Sequence, residues 1–272
     1  MKSFKNKIAV ITGAGSGMGR EMAYQLSDAG ALVIISDKNK DTIAETATNI
    51  VNKGNQCEYF VVDVSDESAI NNFVATVLDK HRYIDVLINN AGYALGTIDF
   101  NDLKVEDFRN IVDVNLWGVV LHTKGFIDSM LNRPEASIVN ISSLFGLLGV
   151  KQQVAYCTTK FAVRGFTEAL RMELEGTNIT TTCVHPGGID TNIVRNGVHY
   201  DNKETVDELV EKFRKNAGRT SAKAAAKQII KAIKNKDERL LIGIETYLAD
   251  SMQRTMPVGY TPIIKRIFQD AF

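Results

Sequence analysis

The sequence contains few of the residues that build metal sites and disulfide frameworks. It has three cysteines and four histidines in 272 residues. Cys57, Cys157 and Cys183 lack the close spacing of metal ligands, and an odd number of cysteines without a signal peptide is typical of a reducing compartment. We therefore expect no metal site, and we expect the protein to be cytoplasmic.

The sequence also lacks an excess of charge and a long apolar run. Lys and Arg together number 32, and Asp and Glu together number 32, so the formal net charge is zero. Proteins that bind nucleic acid usually carry a basic surface, so we expect no nucleic-acid partner. No apolar stretch is long enough to span a bilayer, and the run Ile8–Ile11 is too short for the apolar core of a signal peptide.

Proline is scarce, and no linker divides the chain. The four prolines fall in connections or near the end, and no internal repeat is present. A hydrophobic content of 44% and a charged content of 24% are ordinary for a globular protein. We predict one domain over residues 1–243, with residues 244–272 as a C-terminal amphipathic extension of the same domain.

Short β-branched runs alternate with longer amphipathic segments along the chain. The runs are mostly apolar, as expected for strands that are buried on both faces of a parallel sheet. The predicted strands are Ile8–Thr12, Ala31–Ser36, Glu58–Val62, Val86–Asn89, Ser137–Ile141, Thr180–Val184 and Leu240–Ile242. The predicted helices are Gly19–Asp28, Thr42–Asn52, Glu67–His81, Val105–Met130, Ala155–Leu174 and Ala222–Lys234.

This alternation predicts an α/β fold with a single doubly wound (Rossmann) domain, in which helices flank a seven-stranded parallel sheet. The segment Asp190–Arg219 has no strong strand signal. We predict that it holds short helices over the ligand site and acts as a mobile lid.

A glycine-rich turn follows the first predicted strand. Residues 12–19 have the spacing Thr-Gly-x-x-x-Gly-x-Gly, which departs from G-x-G-x-x-G because the third glycine position is Met18. Glycines at such a turn let backbone N–H groups approach a pyrophosphate at a helix N-terminus. We expect nucleotide contacts from Gly13, Ser16, Gly17, Met18 and Gly19.

An acidic residue ends each of the next two predicted strands. Asp37 lies 20 residues after Gly17, where a carboxylate would accept hydrogen bonds from an adenosine ribose and repel a 2′-phosphate. We therefore predict NAD rather than NADP, against the counterargument that the adjacent Lys38 would tolerate phosphate. Asp63, followed by Val64, is expected over the adenine end. A turn-capping Asp remains the alternative for both acids.

Tyr156 and Lys160 are four residues apart on a predicted helix, so they share one face. A unit charge about 4 Å from the phenol at an effective dielectric of ~20 is worth roughly 4 kcal/mol. That energy corresponds to about three pKa units. We expect the ammonium to lower the pKa of the phenol toward neutrality, where a general acid or base works best.

Further motifs stand in a fixed order around this pair. They are Asn89-Asn90-Ala91-Gly92, Asn115, Ser143 and Pro186-Gly187-Gly188-Ile189-Asp190-Thr191. Ser143 precedes Tyr156 by 13 residues. Together with the glycine-rich turn, they resemble the short-chain dehydrogenase/reductase family in its compact form, over nearly the whole chain from Lys7 to about Gly243.

The resemblance implies hydride transfer between an alcohol carbon and the nicotinamide of NAD. It implies that Tyr156 carries the proton, Lys160 lowers the phenol pKa and holds the nicotinamide ribose, Ser143 donates to the substrate oxygen, and Asn115 holds a relay water. The implied cofactor residues are Gly13, Ser16, Gly17, Met18, Gly19, Asp37, Asp63, Val64, Asn90, Ala91, Gly92, Tyr156, Lys160, Pro186, Gly187, Ile189 and Thr191.

Some residues near the motifs have a structural explanation. Ser142 is the alternative to Ser143, although the spacing favours Ser143 and a backbone hydrogen bond suits Ser142. Cys157 is expected to pack, and His185 to be structural. Asn115 has the alternative of bending its helix by bonding nearby backbone.

The expected substrate walls are apolar, which suits a hydrophobic secondary alcohol or ketone. They comprise Tyr93, Leu95, Phe145, Leu148, Ile193 and Val194. Two other functions remain open. One is an NADP-dependent reductase of keto-thioesters, which would need a basic patch for an acidic carrier. The other is a non-catalytic cofactor-binding sensor, which would not need the catalytic residues.

The resemblance also implies a homodimer or homotetramer built on the helices Val105–Met130 and Ala155–Leu174, with Trp117, Phe161 and Phe166 as contact candidates. The apolar residues of the C-terminal extension repeat at helical spacing. This extension could dock on a partner subunit, cover the substrate pocket, or lie on a membrane surface, in that order of preference.

Overall fold

The computed structural model describes residues 1–191, 195, 197–198, 200, 205–216 and 220–268. Its strands are β1 Ile8–Thr12, β2 Leu32–Asp37, β3 Cys57–Val61, β4 Val86–Asn89, β5 Ala136–Ile141, β6 Ile179–Pro186, β7 Ile189–Asp190, β8 Thr220–Ser221 and β9 Arg239–Ile242. Seven of them form a parallel sheet in the order β3-β2-β1-β4-β5-β6-β9. The predicted fold class and its seven strands are confirmed. Most strand ends differ from the predicted ends by one or two residues.

The helices are α1 Gly17–Asp28, α2 Lys40–Asn52, α3 Glu67–His81, α4 Val105–Val112, α5 Gly118–Leu131, α6 Val154–Glu173, α7 Val206–Asn216, α8 Ala222–Asn235, α9 Ile244–Thr255 and α10 Thr261–Phe268. Among the described residues, no helix combines the length and apolar character needed to cross a membrane.

Apolar helix faces cover both sides of the sheet. On one side, α1, α2 and α8 pack through residues such as Met22, Ile43 and Ile229. On the other, α3 and α5 pack through residues such as Phe73 and Phe126, together with α6. Because both faces are covered, the strands are buried on both sides, and this explains why their sequences are apolar rather than alternating.

The predicted helix Val105–Met130 is wrong as one continuous element. A π-helical turn over Asp113–Trp117 separates α4 from α5. Asn115 lies in this turn with no exposed surface, and its side chain bonds the backbone of Tyr93 instead of its own helix. Extra turns of this kind are frequent at functional sites, and they leave no mark in the apolar periodicity.

The segment that follows β6 is only partly described. Its predicted helical character is confirmed for α7. A strand was not predicted there, yet Ile189–Asp190 pairs in parallel with Thr220–Ser221, which brings the two ends of the segment together. Val198 pairs with Leu95 beside the expected substrate site. The segment's predicted pocket residues Ile193 and Val194 lie outside the described residues.

The C-terminal extension packs on a third apolar cluster. Ala249 and Ile264 are buried in it, and Met252 and Tyr260 contact it. The same cluster contains Tyr156. The described part of the extension therefore lies on the side of the molecule where the substrate is expected.

A buried amide pair connects the middle of the sheet to two helices. Asn89 and Asn140 are register partners on β4 and β5. The Asn89 amide donates to Asn140 Oδ1 at 2.8 Å and to Thr123 Oγ1 on α5 at 3.0 Å. The Asn140 amide donates to Thr167 Oγ1 on α6 at 3.0 Å. Neither Asn140 nor Thr167 has any exposed surface, so these bonds have no competition from water.

Removal of the Asn140 amide should destabilise the fold. Asn140→Ala leaves the Asn89 amide with one partner fewer and removes the donor to Thr167, so we expect the free energy of unfolding to fall by about 2 to 3 kcal/mol in urea titrations. The control is Asn132→Ala, because Asn132 is exposed and its side chain bonds only the carbonyl of Asp128 among the described residues. Equal losses in the two variants would contradict a special role for the buried pair.

Candidate active site

A cleft opens at the carboxyl ends of β1, β2 and β4, where ligands bind in open α/β sheets. It is lined by Gly13, Ser16, Gly17, Met18, Asp37, Lys38, Val62, Asp63, Val64, Asn90, Ala91, Gly92, Tyr93, Val114 and Thr191. Most of the predicted nucleotide contacts therefore share one cleft. Among the described residues, no cluster of His, Cys, Asp and Glu has the arrangement of a metal site.

The glycine-rich turn brings β1 into close contact with the chain after β4. Gly13 has a φ of 65°, and a Cβ there would lie 2.8 Å from Ala91 Cα. A Cβ on Gly19 would overlap the carbonyl oxygen of Gly13. A side chain at either position would force this turn away from the chain after β4.

Side chains of Thr12 and Asn90 hold the turn from below. Thr12 Oγ1 accepts the N–H groups of Asn90 and Ala91 at 3.1 and 3.0 Å. The Asn90 amide donates to the carbonyl oxygens of Thr12 and Gly13, both at 3.0 Å. The motif after β4 thus supports the turn that follows β1.

Helix α1 begins in the cleft with N–H groups that lack a side-chain cap. Ser16 occupies the N-cap position but makes no capping hydrogen bond. Unbonded N–H groups and the positive end of the helix dipole together favour a phosphate at this point. Gly17 has a φ of 55°, which a residue with a side chain rarely adopts. These features fit the pyrophosphate of a dinucleotide.

Asp37 is bonded to the glycine-rich turn. Its Oδ2 accepts the N–H of Gly15 at 2.9 Å, and its Oδ1 accepts the N–H of Asn39 at 3.0 Å. A Cβ on Gly15 would lie 2.8 Å from that Oδ2 and 2.5 Å from Thr42 Oγ1. Asp37 lines the cleft as predicted, but it also fixes the turn.

Two residues that hold this loop, Gly15 and Arg20, are absent from the predicted nucleotide contacts. Arg20 Nη2 donates to the carbonyl of Gly15 at 2.5 Å and pairs with Glu45 at 2.8 Å. The glycine could have been noticed from its place within the turn. The arginine gave no signal, because its partner Glu45 is distant in sequence.

Asp63 has the local contacts of a turn-capping residue. Its Oδ1 accepts the N–H and the hydroxyl of Ser65 at 2.9 and 2.7 Å. Burial opposes the charged form of Asp63, but the Ser65 hydrogen bonds and nearby Lys38 hold the pKa of its carboxyl below the usual value. Asp63 also lines the cleft with the buried Val64, so the capping and ligand-lining roles are compatible.

Tyr156 lies beside Ser143 in a nearly dry environment. The phenol side chain is buried, and its ring meets the ring of Phe145 edge-on with centroids 5.9 Å apart. Burial raises the pKa of Tyr156 to about 12, even though a hydrogen bond from Ser143 acts in the opposite direction. Tyr156 is therefore a protonated phenol at neutral pH in the protein alone.

Lys160 does not lower the phenol pKa in the way the sequence predicts. Its ammonium donates to the carbonyl of Ile141 at 3.0 Å and lies 5.7 Å from the centroid of the Tyr156 ring. Burial lowers the pKa of Lys160 itself to about 8. The predicted lowering of the phenol pKa is wrong because burial penalises the charged forms of both groups, and the ammonium is bonded to the Ile141 carbonyl.

Asn115 joins the two halves of the site. Its Oδ1 accepts the N–H of Tyr93 at 3.0 Å, and its Nδ2 donates to the Tyr93 carbonyl at 3.0 Å and to Thr159 Oγ1 at 3.2 Å. A Cβ on Gly92 would lie 3.0 Å from that Oδ1 and 3.5 Å from Lys160 Nζ. The side chain is thus committed to protein partners. The relay water stays a prediction.

The adjacent serines have different partners. Ser142 Oγ donates to the carbonyl of Lys160 at 2.8 Å and is buried, whereas Ser143 bonds Tyr156 and accepts the N–H of Phe145 at 3.1 Å. This agrees with the choice of Ser143. His185 is buried behind them, within 3.1 Å of the Ser143 carbonyl through Nδ1, as expected of a structural histidine.

The segment after β6 reaches the cofactor cleft. Gly187 donates its N–H to the carbonyl of Ile242 at 2.8 Å, and Ile189 is buried. Thr191 lines the cleft, and a Cβ on Gly17 would lie 3.2 Å from its Cγ2. Pro186, predicted as a contact, ends β6 and is buried.

The expected substrate walls are only partly available to a ligand. Tyr93 is half-buried and lines the cleft. Leu95 and Phe145 belong to the same apolar cluster as Tyr156. Leu148 is in that cluster too, but it has no exposed surface, so it packs beneath the wall.

Comparison with known proteins gives the family of the chain. Residues 7–201 match the family model for short chain dehydrogenases. The chain is 38% identical, over 97% of its length and 96% of the relative's, to SadH of Mycobacterium tuberculosis, which is named as an oxidoreductase. The chain belongs to the short-chain dehydrogenase/reductase family.

Solved structures of the family carry either nicotinamide cofactor. A short-chain dehydrogenase/reductase from Burkholderia phymatum in complex with NAD matches with a TM-score of 0.82 and 25% identity, over 97% of this chain and 96% of that one. A metagenomic short-chain oxidoreductase in complex with NADP has the same fold, with a TM-score of 0.73 and 24% identity over 88% and 98%.

Proposed function

We propose that this oxidoreductase transfers a hydride between NAD(H) and a hydrophobic secondary alcohol or ketone. The proposal rests on one observation. Ser143, Tyr156 and Lys160 lie together beside the cleft that the glycine-rich turn lines. A dinucleotide held by residues 13–19, Asp37 and residues 90–92 would supply the hydride chemistry at its nicotinamide end.

The protein's part in the reaction is to place and move one proton. Tyr156 donates its phenol proton to the carbonyl oxygen in reduction and receives the alcohol proton in oxidation. Ser143 donates a hydrogen bond to the same substrate oxygen, which stabilises the negative charge that develops there. Lys160, anchored on the Ile141 carbonyl, supplies N–H donors to the cofactor ribose.

Replacement of the phenol hydroxyl should abolish the chemistry and preserve cofactor binding. We expect Tyr156→Phe to lower kcat by about a hundredfold or more, because general acid–base catalysis is worth about that factor. NADH affinity, measured by fluorescence, should stay at the wild-type value. The matched control is Tyr59→Phe, because Tyr59 is 47% exposed on β3. Retained turnover in Tyr156→Phe would exclude Tyr156 as the proton carrier and favour a binding role for the fold.

The pKa of Lys160 gives cofactor binding a pH dependence. Because burial lowers that pKa to about 8, the ammonium is present below this pH and is lost above it. If Lys160 holds the ribose, NADH affinity should decrease as pH rises through about 8. Lys160→Met has no ammonium, so its weaker NADH affinity should stay flat over this range. A wild-type titration with the same shape as that of the variant would contradict this role.

The preference for NAD is proposed from the carboxylate of Asp37. It lies in the cleft, where it would repel a 2′-phosphate, and Lys38 beside it is the only described cation among the residues that line the cleft.

The test compares kcat/KM for NADH and NADPH in wild type and Asp37→Ser. We expect wild type to favour NADH and the variant to shift the ratio toward NADPH by about tenfold or more, as removal of a close like-charge contact implies. Asp41→Ser is the control, because Asp41 is exposed on the first turn of α2. A tenfold wild-type preference for NADPH, by the same arithmetic about 1.4 kcal/mol, would overturn the argument.

A hydrophobic substrate is proposed because Tyr156 belongs to an apolar cluster. Leu95, Leu144 and Phe145 are its neighbours in that cluster, and the extension adds Met252 and Tyr260. The keto-thioester alternative would need free cations for an acidic carrier. In the described part of the segment that follows β6, Arg195 pairs with Asp207 and Arg214 pairs with Asp190. These arginines are therefore already neutralised.

The substrate class can be tested with a panel of ketones and alcohols. We expect alicyclic, aromatic and long-chain secondary alcohols or their ketones to be turned over, and polyols and charged hydroxy acids to be poor substrates. Initial rates at saturating NAD(H) provide the measurement. Efficient oxidation of polyols without activity on the hydrophobic members would refute the assignment.

We extend the proposal to a homodimer or homotetramer. Trp117 and Phe161 are 50% and 40% exposed, on the π turn and on α6. Phe166, the third candidate, packs against the core beneath α6, so it is a weaker contact candidate. Two large exposed aromatic side chains on neighbouring elements are suited to burial between subunits.

A further inference from the structure

The first turn of α9 makes a direct contact with the glycine pair after β6. Glu245 Oε1 accepts the N–H of Gly188 at 2.9 Å. The carbonyl of Gly188 accepts the N–H of Thr220 at 3.2 Å, and the N–H of Gly187 goes to Ile242 at 2.8 Å. Both glycines are therefore fixed by hydrogen bonds from outside the cofactor cleft.

The space for this carboxylate depends on the absence of two side chains. A Cβ on Gly187 would overlap Glu245 Oε1 and lie 2.7 Å from its Cδ. A Cβ on Gly243 would overlap the same oxygen and also lie 2.7 Å from Cδ. Gly243 has a φ of 95°, a conformation that residues with side chains rarely adopt. Both glycines therefore lie directly against the Glu245 carboxylate.

A surface ion pair does not explain the position of this glutamate. Within the described part of the chain, Glu245 has no cationic partner, and its side chain is half-buried. Other acids of the region do have one, since Asp250 on the same helix pairs with Arg239 and Arg254. The close partner of Glu245 is instead a backbone N–H of the segment that enters the cleft.

The contact between Glu245 and Gly188 bears on cofactor binding, because the segment after Gly188 enters the cofactor cleft. Residue 188 precedes Ile189, which is buried in the main core, and Thr191, which lies against Gly17 in the cleft. A change in the direction of the chain at Gly188 would therefore move Thr191 relative to the glycine-rich turn.

We propose that Glu245 is a positioning residue that fixes the Gly187–Gly188 turn, so that residues 189–191 can hold the nicotinamide half of the dinucleotide. The inference rests on the proposed function, since it assumes that NAD(H) binds in the cleft. It connects the C-terminal extension to cofactor binding rather than to the substrate pocket alone.

The test compares two ligands that differ in the nicotinamide end. Dissociation constants for NADH and for ADP-ribose, which lacks nicotinamide, are measured by calorimetry on wild type, Glu245→Ala and Glu245→Gln. We expect Glu245→Ala to weaken NADH binding by about tenfold, the scale of one hydrogen bond to a charged group, and to leave ADP-ribose binding unchanged. Glu245→Gln keeps the acceptor oxygen and should restore NADH binding.

Asp250→Ala is the matched control on α9. It removes an acid whose contacts are Arg239 and Arg254, so the helix is perturbed without a change at Gly188. Equal weakening of both ligands by Glu245→Ala, or the same weakening of NADH by Asp250→Ala, would show a general effect on folding and overturn the proposal. Unchanged affinities in Glu245→Ala would overturn it too. A wild-type protein that binds neither NADH nor NADPH would overturn the proposed function itself.

A double variant tests the position of the carboxylate directly. Gly187→Ala should weaken NADH binding, because its Cβ meets Glu245 and also lies 2.8 Å from Thr246 Oγ1. In the Glu245→Ala background the same substitution should cost less, since one of the two obstacles is gone. An equal cost in both backgrounds would mean that the carboxylate does not occupy this space.

Discussion

The hydrogen bond between the Asn89 and Asn140 side chains is the interaction on which the rest of the site depends. It joins β4 and β5 one residue before Asn90 and one before Ile141, so it fixes the two strand ends that lead into the cleft. The same amides reach α5 and α6, and α6 carries Tyr156 and Lys160. A side-chain amide suits this position because it can donate and accept hydrogen bonds at the same time. In an interior without water each of these hydrogen bonds is strong.

Much of the fold could be predicted from the sequence because burial on both faces leaves a simple apolar signal. All seven strands of the sheet were found in that way. The π turn Asp113–Trp117 could not be predicted, since it depends on a bond from Asn115 to Tyr93, 22 residues away. The short pairing of β7 with β8 was missed for a similar reason. A strand of two residues is too short to show an apolar pattern, and its partner strand is distant in the chain.

The residues that form the site could be predicted better than their pKa values and hydrogen-bond partners. Motif spacing identified Ser143, Tyr156 and Lys160, and the structure brings them together. It did not indicate that the Lys160 ammonium would be held by the Ile141 carbonyl, or that burial would move the pKa of Tyr156 upward. Spacing along a helix gives the shared face of two side chains but not their remaining partners. Desolvation depends on the whole surrounding packing, to which distant segments contribute.

The bond between Asp37 and the N–H of Gly15 has an evolutionary consequence. The carboxylate has two tasks, since it faces the cleft and also holds the loop that begins there. If Asp37 selects NAD as proposed, a lineage that exchanged this acid for a neutral or basic residue would change its cofactor preference and lose a loop contact in the same step. Arg20 donates a hydrogen bond to the carbonyl of Gly15, which is a second side-chain contact to the loop. After such an exchange, the bond from Arg20 to the carbonyl of Gly15 would still hold the loop.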